Sequence, residues 1–111
     1  MSLPPALKLI KIKSGVVKRI TKEVYYYEKE VIREKERLSK LENEGKDEYT
    51  LKQQEEVIRE SARMVPHCMN ELQTAYMELK ALLESETHLC ESEEYQTANV
   101  ILNDAGVLLA Q

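Results

Sequence analysis

Two long seams of residues spaced alternately three and four apart run through this chain. One reads Leu51, Gln54, Ile58, Ser61, Val65, Cys68, Leu72, Ala75, Leu79, Leu82. The other reads Leu3, Ala6, Ile10, Lys13, Val17, Ile20, Val24, Tyr27, Val31, Glu34, Leu38, Leu41. Such spacing keeps one stripe of a helix turned toward a neighbour over many turns, so both segments predict helices packed lengthwise on other helices. Pro66 lies inside the first seam, and the phase is the same on both sides of it. A proline inside a helix removes one backbone hydrogen bond, crowds the preceding turn and costs ~3 kcal/mol. A seam that keeps its register across that cost predicts one long helix kinked at Pro66, not two helices and a turn.

Local signals place the ends of the helices. Pro4 and Pro5 suit a first turn, where a missing N–H costs nothing. Gly45 suits the left-handed residue that closes a helix, so helix 1 is expected over about 5–43. Thr50 and Gln53 fit a capping box, which starts helix 2 near Thr50 and runs it over about 51–84. Lys52–Glu56, Glu55–Arg59 and Glu36–Lys40 are spaced as i,i+4 ion pairs, each contributing a few tenths of a kcal/mol. Ser92 can cap a third helix over about 92–109, with Glu93 and Glu94 at the positive end of its dipole. Tyr95, Ala98, Leu102, Ala105 and Leu109 hold its seam, and Gly106 is expected to mark fraying near its end.

The fold class expected is all-α: an elongated up-down-up three-helix bundle with coiled-coil-like packing, its second helix kinked at Pro66. Length argues for a single domain over 1–111. With no Phe and no Trp, the core must be aliphatic side chains and Tyr. No apolar run approaches membrane-spanning length. Met1-Ser2-Leu3-Pro4-Pro5 lacks the charged and apolar regions of a secretion signal. Two cysteines are too few for a disulfide framework, so a soluble intracellular protein is expected.

Charge is distributed unevenly. Residues 1–22 carry Lys8, Lys11, Lys13, Lys18, Arg19 and Lys22 with no acid. Residues 81–111 carry Glu84, Glu86, Glu91, Glu93, Glu94 and Asp104 with no base. In an up-down-up bundle these segments share one end, so the acidic 84–94 stretch is expected to face the basic third and partly neutralise it. The net charge of −4 argues against nucleic acid as a partner.

Chemistry is sparse. There is no phosphate-cradling Gly-rich loop and no plausible Ser/His/Asp grouping. His67, Cys68, His88 and Cys90 are all the His and Cys available. Cys68 and His88 fall ~30 Å apart along one helix, whereas zinc ligands converge at ~2.0–2.3 Å. The reading is no metal, with Cys68 as a small buried residue and His67 solvated. Lys13 and Glu34 fall on the seam, where they either set register at some cost in stability or mark a place where the seam meets a partner. Tyr25, Tyr26 and Tyr27 are consecutive and cannot all face the core. Either one of Tyr25 and Tyr26 is packed by the third helix, or an exposed Tyr near Lys18, Arg19 and Lys22 serves as an anchor for a partner.

Several motifs carry a specific resemblance. Ile10-Lys11-Ile12-Lys13-Ser14-Gly15-Val16-Val17-Lys18-Arg19 is similar to the opening of the tubulin-specific chaperone A family, also called tubulin-folding cofactor A. Tyr27-Glu28-Lys29-Glu30, Leu51-Lys52-Gln53-Gln54-Glu55 and Glu60-Ser61-Ala62-Arg63-Met64-Val65-Pro66-His67-Cys68 resemble the family in the same order and spacing, and Glu93-Glu94-Tyr95 also fits. The resemblance covers roughly 8 to 102. It departs at Ala62, at His67 and in the tail after Leu102.

The resemblance implies a cytoplasmic, cytoskeleton-associated, non-enzymatic chaperone. Such a protein captures β-tubulin monomers released from the cytosolic chaperonin, on the pathway to the α/β-tubulin heterodimer. It meets other tubulin-folding cofactors only indirectly. It implies no nucleotide, no metal, no nucleic acid and no membrane. The alternative from periodicity alone is a structural coiled-coil or adaptor protein. Because β-tubulin is acidic, a basic face is the expected docking surface. The candidates are Lys11, Lys18, Arg19 and Lys22 on helix 1, Arg59 and Arg63 before the kink, and Tyr25 and Tyr26 as anchors.

Overall fold

The computed structural model describes residues 3–111. Met1 and Ser2, which open the stretch read above for a secretion signal, lie outside them. Three α-helices follow one another: α1 (Pro5–Asn43), α2 (Glu48–Ser85) and α3 (Glu93–Leu109). A 3-10 turn at Thr87–Leu89 joins the last two, and no strand occurs among the described residues.

Hydrogen bonds at the ends show why the helices stop where they do. Pro5 opens α1, and the Lys8 N–H donates to the Pro4 carbonyl at 3.0 Å. At the other end Gly45 takes φ 69°. Its N–H donates to the Glu42 carbonyl at 3.0 Å, and the Lys46 N–H donates to the Leu41 carbonyl at 3.1 Å. That pair of bonds satisfies carbonyls the helix would otherwise leave open, and the left-handed residue between them favours glycine. Ser92 caps α3 by accepting from the Tyr95 N–H at 3.2 Å, with Glu93 and Glu94 in the first turn.

The start of α2 differs from the expectation. Asp47, not Thr50, is the cap: its Oδ1 accepts from the Thr50 N–H at 3.0 Å. Gln53 does not reach back to close a capping box. Its Nε2 donates to the Tyr49 hydroxyl at 2.8 Å. A carboxylate both accepts the orphan N–H and meets the positive end of the helix dipole, which a threonine hydroxyl does only in part. Hydrogen bonds from Thr50, first from its side chain and then from its backbone N–H, hold the Asp47 carboxyl below its ordinary value of 3.8. Beyond this start, α2 passes through Pro66 without interruption. Ala62, whose carbonyl loses its partner to the proline, is exposed, so water can reach it.

The chain forms two compact units. One joins the N-terminal segment through Lys22 to Met69–Gln111, and so holds a stretch of each helix. Its core is Ile10, Val17 and Ile20 from α1, Leu72, Ala75, Leu79 and Leu83 from α2, and Tyr95, Ala98, Leu102, Ala105 and Leu108 from α3. Fully burying a Leu, Ile or Val side chain stabilises by about 1.5–3 kcal/mol relative to leaving it exposed, so these stripes hold the three segments together. The buried position ending the α2 seam is Leu83 rather than Leu82, which is half-buried. The Tyr95 hydroxyl donates to the Leu83 carbonyl at 2.8 Å near the end of α2. Gly106 does not mark fraying. It lies against the Tyr76 ring, where a Cβ would make an ordinary contact with the hydroxyl at 3.4 Å, and α3 continues to Leu109.

The other unit, Glu23–Cys68, is a hairpin of the second part of α1 and the first part of α2. Its fully covered apolar residues are Val24 and Cys68, while Tyr27, Val31, Leu38, Leu51, Ile58 and Val65 are half-buried. Two helices can cover only one side of each other's stripe. At its seam the buried Gln54 donates through Nε2 to the Glu34 carbonyl at 2.9 Å and to the Glu34 carboxylate at 2.7 Å. In the three-helix unit Lys13 Nζ meets Glu78 Oε2 at 3.2 Å. Both off-pattern seam residues thus find polar partners within their own unit, which favours the register-setting reading. The surface ion pairs differ from those expected from spacing. Lys52 pairs with Glu48 at 3.0 Å, and Arg33 pairs with Glu30 at 2.7 Å.

Three outcomes follow from these contacts. Tyr95→Phe lowers unfolding stability by about 0.5–1.5 kcal/mol, the net worth of one hydrogen bond, as read from urea unfolding. Pro66→Ala raises stability by up to ~3 kcal/mol, and a lower urea midpoint would mean the core requires the proline. Asp47 has a folded pKa below 3.8, so it stabilises the fold above that pH. The contribution is lost as pH falls through the lower folded value. Asp47→Ala lowers the Tm at pH 7 by a few degrees. Asp47→Asn keeps most of the cap but flattens the acid-side dependence of Tm, and an unchanged acid limb in Asp47→Asn would show that other carboxylates set it.

Candidate partner-binding site

In the three-helix unit α1 turns Ile10, Val17 and Ile20 inward. At 3.6 residues per turn, Lys11, Gly15, Lys18 and Lys22 then fall on one outward stripe, with Lys8 and Arg19 along its edge. All six are exposed. Lys11, Lys18 and Lys22 make no ion pair among the described residues. Lys11 borders a shallow cleft with Ser14, Glu93, Glu94 and Thr97. The expected meeting of the basic third with the acidic stretch therefore occurs at this edge, without an ion pair, and Lys18 and Lys22 are left to solvent.

The hairpin unit holds the other four candidates. Tyr25 is 41% exposed and Tyr26 is 54% exposed. The Tyr26 ring stands edge-on to Tyr27, with centroids 5.1 Å apart and planes at 80°. Arg59 Nε donates to Glu56 at 2.9 Å, and Arg63 Nη2 lies 3.8 Å from the same carboxylate. The hydrogen bond from Arg59, then the charges of Arg59 and Arg63, hold the Glu56 carboxyl below its ordinary value. These two guanidinium groups are already engaged on their own helix, so an incoming carboxylate would have to compete with Glu56.

Two surface features were not singled out by sequence reasoning. Gly15 lies inside α1 on the exposed basic stripe, and nothing lies within 4 Å of where its Cβ would be. A glycine in a helix interior costs about 1 kcal/mol relative to alanine, and no contact within the chain explains it. The available signal was a glycine in the middle of an unbroken 3–4 seam. The second feature is on α3, where Val100 and Val107, two turns apart, are 60% and 65% exposed. Among the described residues no three His, Cys, Asp or Glu side chains gather as metal ligands. No described helix is long and apolar enough to cross a membrane. What these surfaces offer a partner is positive charge and isolated apolar side chains.

The chain is similar to known proteins over most of its length. Residues 5–102 match the family model described as tubulin binding cofactor A. Tubulin-specific chaperone A of Gallus gallus is 46% identical over 98 residues, spanning 88% of this chain and 91% of that protein. The crystal structure of tubulin folding cofactor A from Arabidopsis thaliana superposes with a TM-score of 0.84 at 37% identity, over 92% of this chain and 96% of that one. Rbl2p, a β-tubulin binding post-chaperonin cofactor, superposes with a TM-score of 0.80 at 28% identity, over 93% of this chain and 99% of that one. With the motifs, the three helices and nearly the whole length in agreement, this chain belongs to the tubulin binding cofactor A family.

Proposed function

We propose that this chain is a tubulin-folding chaperone. It captures and stabilises β-tubulin monomers after their release from the cytosolic chaperonin, on the pathway to the α/β-tubulin heterodimer. The observation that carries this reading is the family match across residues 5–102, joined to a solved relative described as a β-tubulin binding post-chaperonin cofactor. A structural coiled-coil or adaptor protein would share the helical periodicity but has no reason to match one cofactor family over that span.

The chain acts by binding rather than by catalysis, as a single functional domain, in the cytoplasm and beside the cytoskeleton. Its physical task is to cover surface that a lone β-tubulin would expose to aggregation. Positive charge on the carrier suits that task, because it steers an acidic partner to one face and sets orientation. The outward stripe of Lys11, Lys18 and Lys22, with Arg19 at its edge, is the favoured contact. Tyr25 and Tyr26 are candidate anchors in the hairpin. Arg59 and Arg63 are weaker candidates because Glu56 already holds them.

Reversing the charges with Lys18→Glu and Arg19→Glu together weakens β-tubulin capture tenfold or more and leaves the far-ultraviolet helical signal unchanged. Added salt weakens capture by the wild-type chain in parallel. Full-strength capture by the double variant at both low and high salt would place the interface off this stripe. A wild-type chain that retains no β-tubulin, where a known cofactor A does, would remove the functional reading altogether.

A further inference from the structure

Gly15 is the one residue of the basic stripe whose identity the fold leaves without a cause. Its φ is not in the left-handed region, its Cβ position is open, and it closes no turn. The neighbouring Ser14 hydroxyl donates to the Lys11 carbonyl at 3.0 Å, and α1 continues unbroken past both residues. Around Gly15, at three and four residues' distance, stand Lys11, Ile12, Lys18 and Arg19, all exposed. Residues three and four apart are surface neighbours on a helix. The result is a dip in the helix surface, floored by bare backbone and rimmed by three cations and one isoleucine. Glycine at such a spot allows another main chain to come close.

We infer that Gly15 is the point of closest approach for β-tubulin, where a carboxylate-bearing segment crosses α1 with its main chain against Gly15. Lys11 and Lys18 meet its carboxylates from either side of the dip. The charge of the surface selects the occupant. Lys11, Lys18 and Lys22 are exposed and make no ion pair among the described residues, so an acidic segment is attracted and a basic one repelled. Ile12, 54% exposed beside the dip, gives the segment an apolar contact once water is displaced. This inference rests on the proposed capture of β-tubulin and names the place on the chain where it occurs.

A helix-favouring side chain at Gly15 should have opposite effects on folding and on binding. Gly15→Ala raises the Tm of the full chain by a few degrees, because alanine favours the helix and meets nothing. Its dissociation constant for β-tubulin rises three- to tenfold. Gly15→Gln, which fills the dip without changing charge, raises it by more than tenfold, while Thr74→Gln, an exposed change on α2, leaves it unchanged. Wild-type affinity in Gly15→Gln overturns the inference and leaves the chaperone reading standing. So does a lowered Tm in Gly15→Ala, since the fold itself would then require the glycine. Failure of the wild-type chain to hold β-tubulin in the same assay removes the chaperone reading instead.

Discussion

Burial of Ile10, Val17, Leu72, Leu79, Ala98 and Leu108 away from water is the interaction on which the three-helix unit depends. The chain has no Phe and no Trp to supply a large buried surface at one point. It relies on small and medium side chains repeated at helical spacing, each contributing a modest amount. Such a core tolerates little disorder in phase, because a shift of one residue rotates a stripe by ~100°. The polar contacts next to it accordingly act on register. Lys13 meets Glu78, and the Tyr95 hydroxyl meets the Leu83 carbonyl.

The hairpin unit shows what the same seam does with one neighbour instead of two. Its apolar residues are mostly half-buried, and its most buried polar side chain, Gln54, meets both the backbone and the carboxylate of Glu34. A polar pair at a seam position contributes less than two leucines would, but it allows only one alignment of the helices. Specifying alignment by a polar pair is a recurring use of such residues in coiled coils.

For a carrier of another protein, the outer surface matters as much as the core. The stripe of Lys11, Lys18 and Lys22 is basic and unpaired, whereas Arg59 and Arg63 are held by Glu56. An unpaired cation can meet a partner's carboxylate without first giving up one of its own. Gly15 within that stripe carries a conformational cost without an internal return, which makes it the position where fold and function can be separated by experiment.

Much of this was legible in sequence because it is local. Helical periodicity, the glycine that closes α1, the serine that caps α3 and the order of the family motifs depend on residues within a few positions of one another. The sequence places the cap of α2 at Thr50, and only the folded backbone shows that Asp47 takes that place. Gly106 read locally as a weak point, but α3 runs on past it to Leu109, and the Tyr76 ring, thirty positions earlier in the chain, lies against it. Leu83 rather than Leu82 ends the buried seam. Which cations stay unpaired could not be read from spacing either, since Lys52 pairs with Glu48 instead of Glu56 and Arg59 with Glu56 instead of Glu55. By itself the sequence determined three helices and a family. Tertiary structure decided which residues they share with one another and which they leave for a partner, because burial and pairing depend on what arrives from distant parts of the chain.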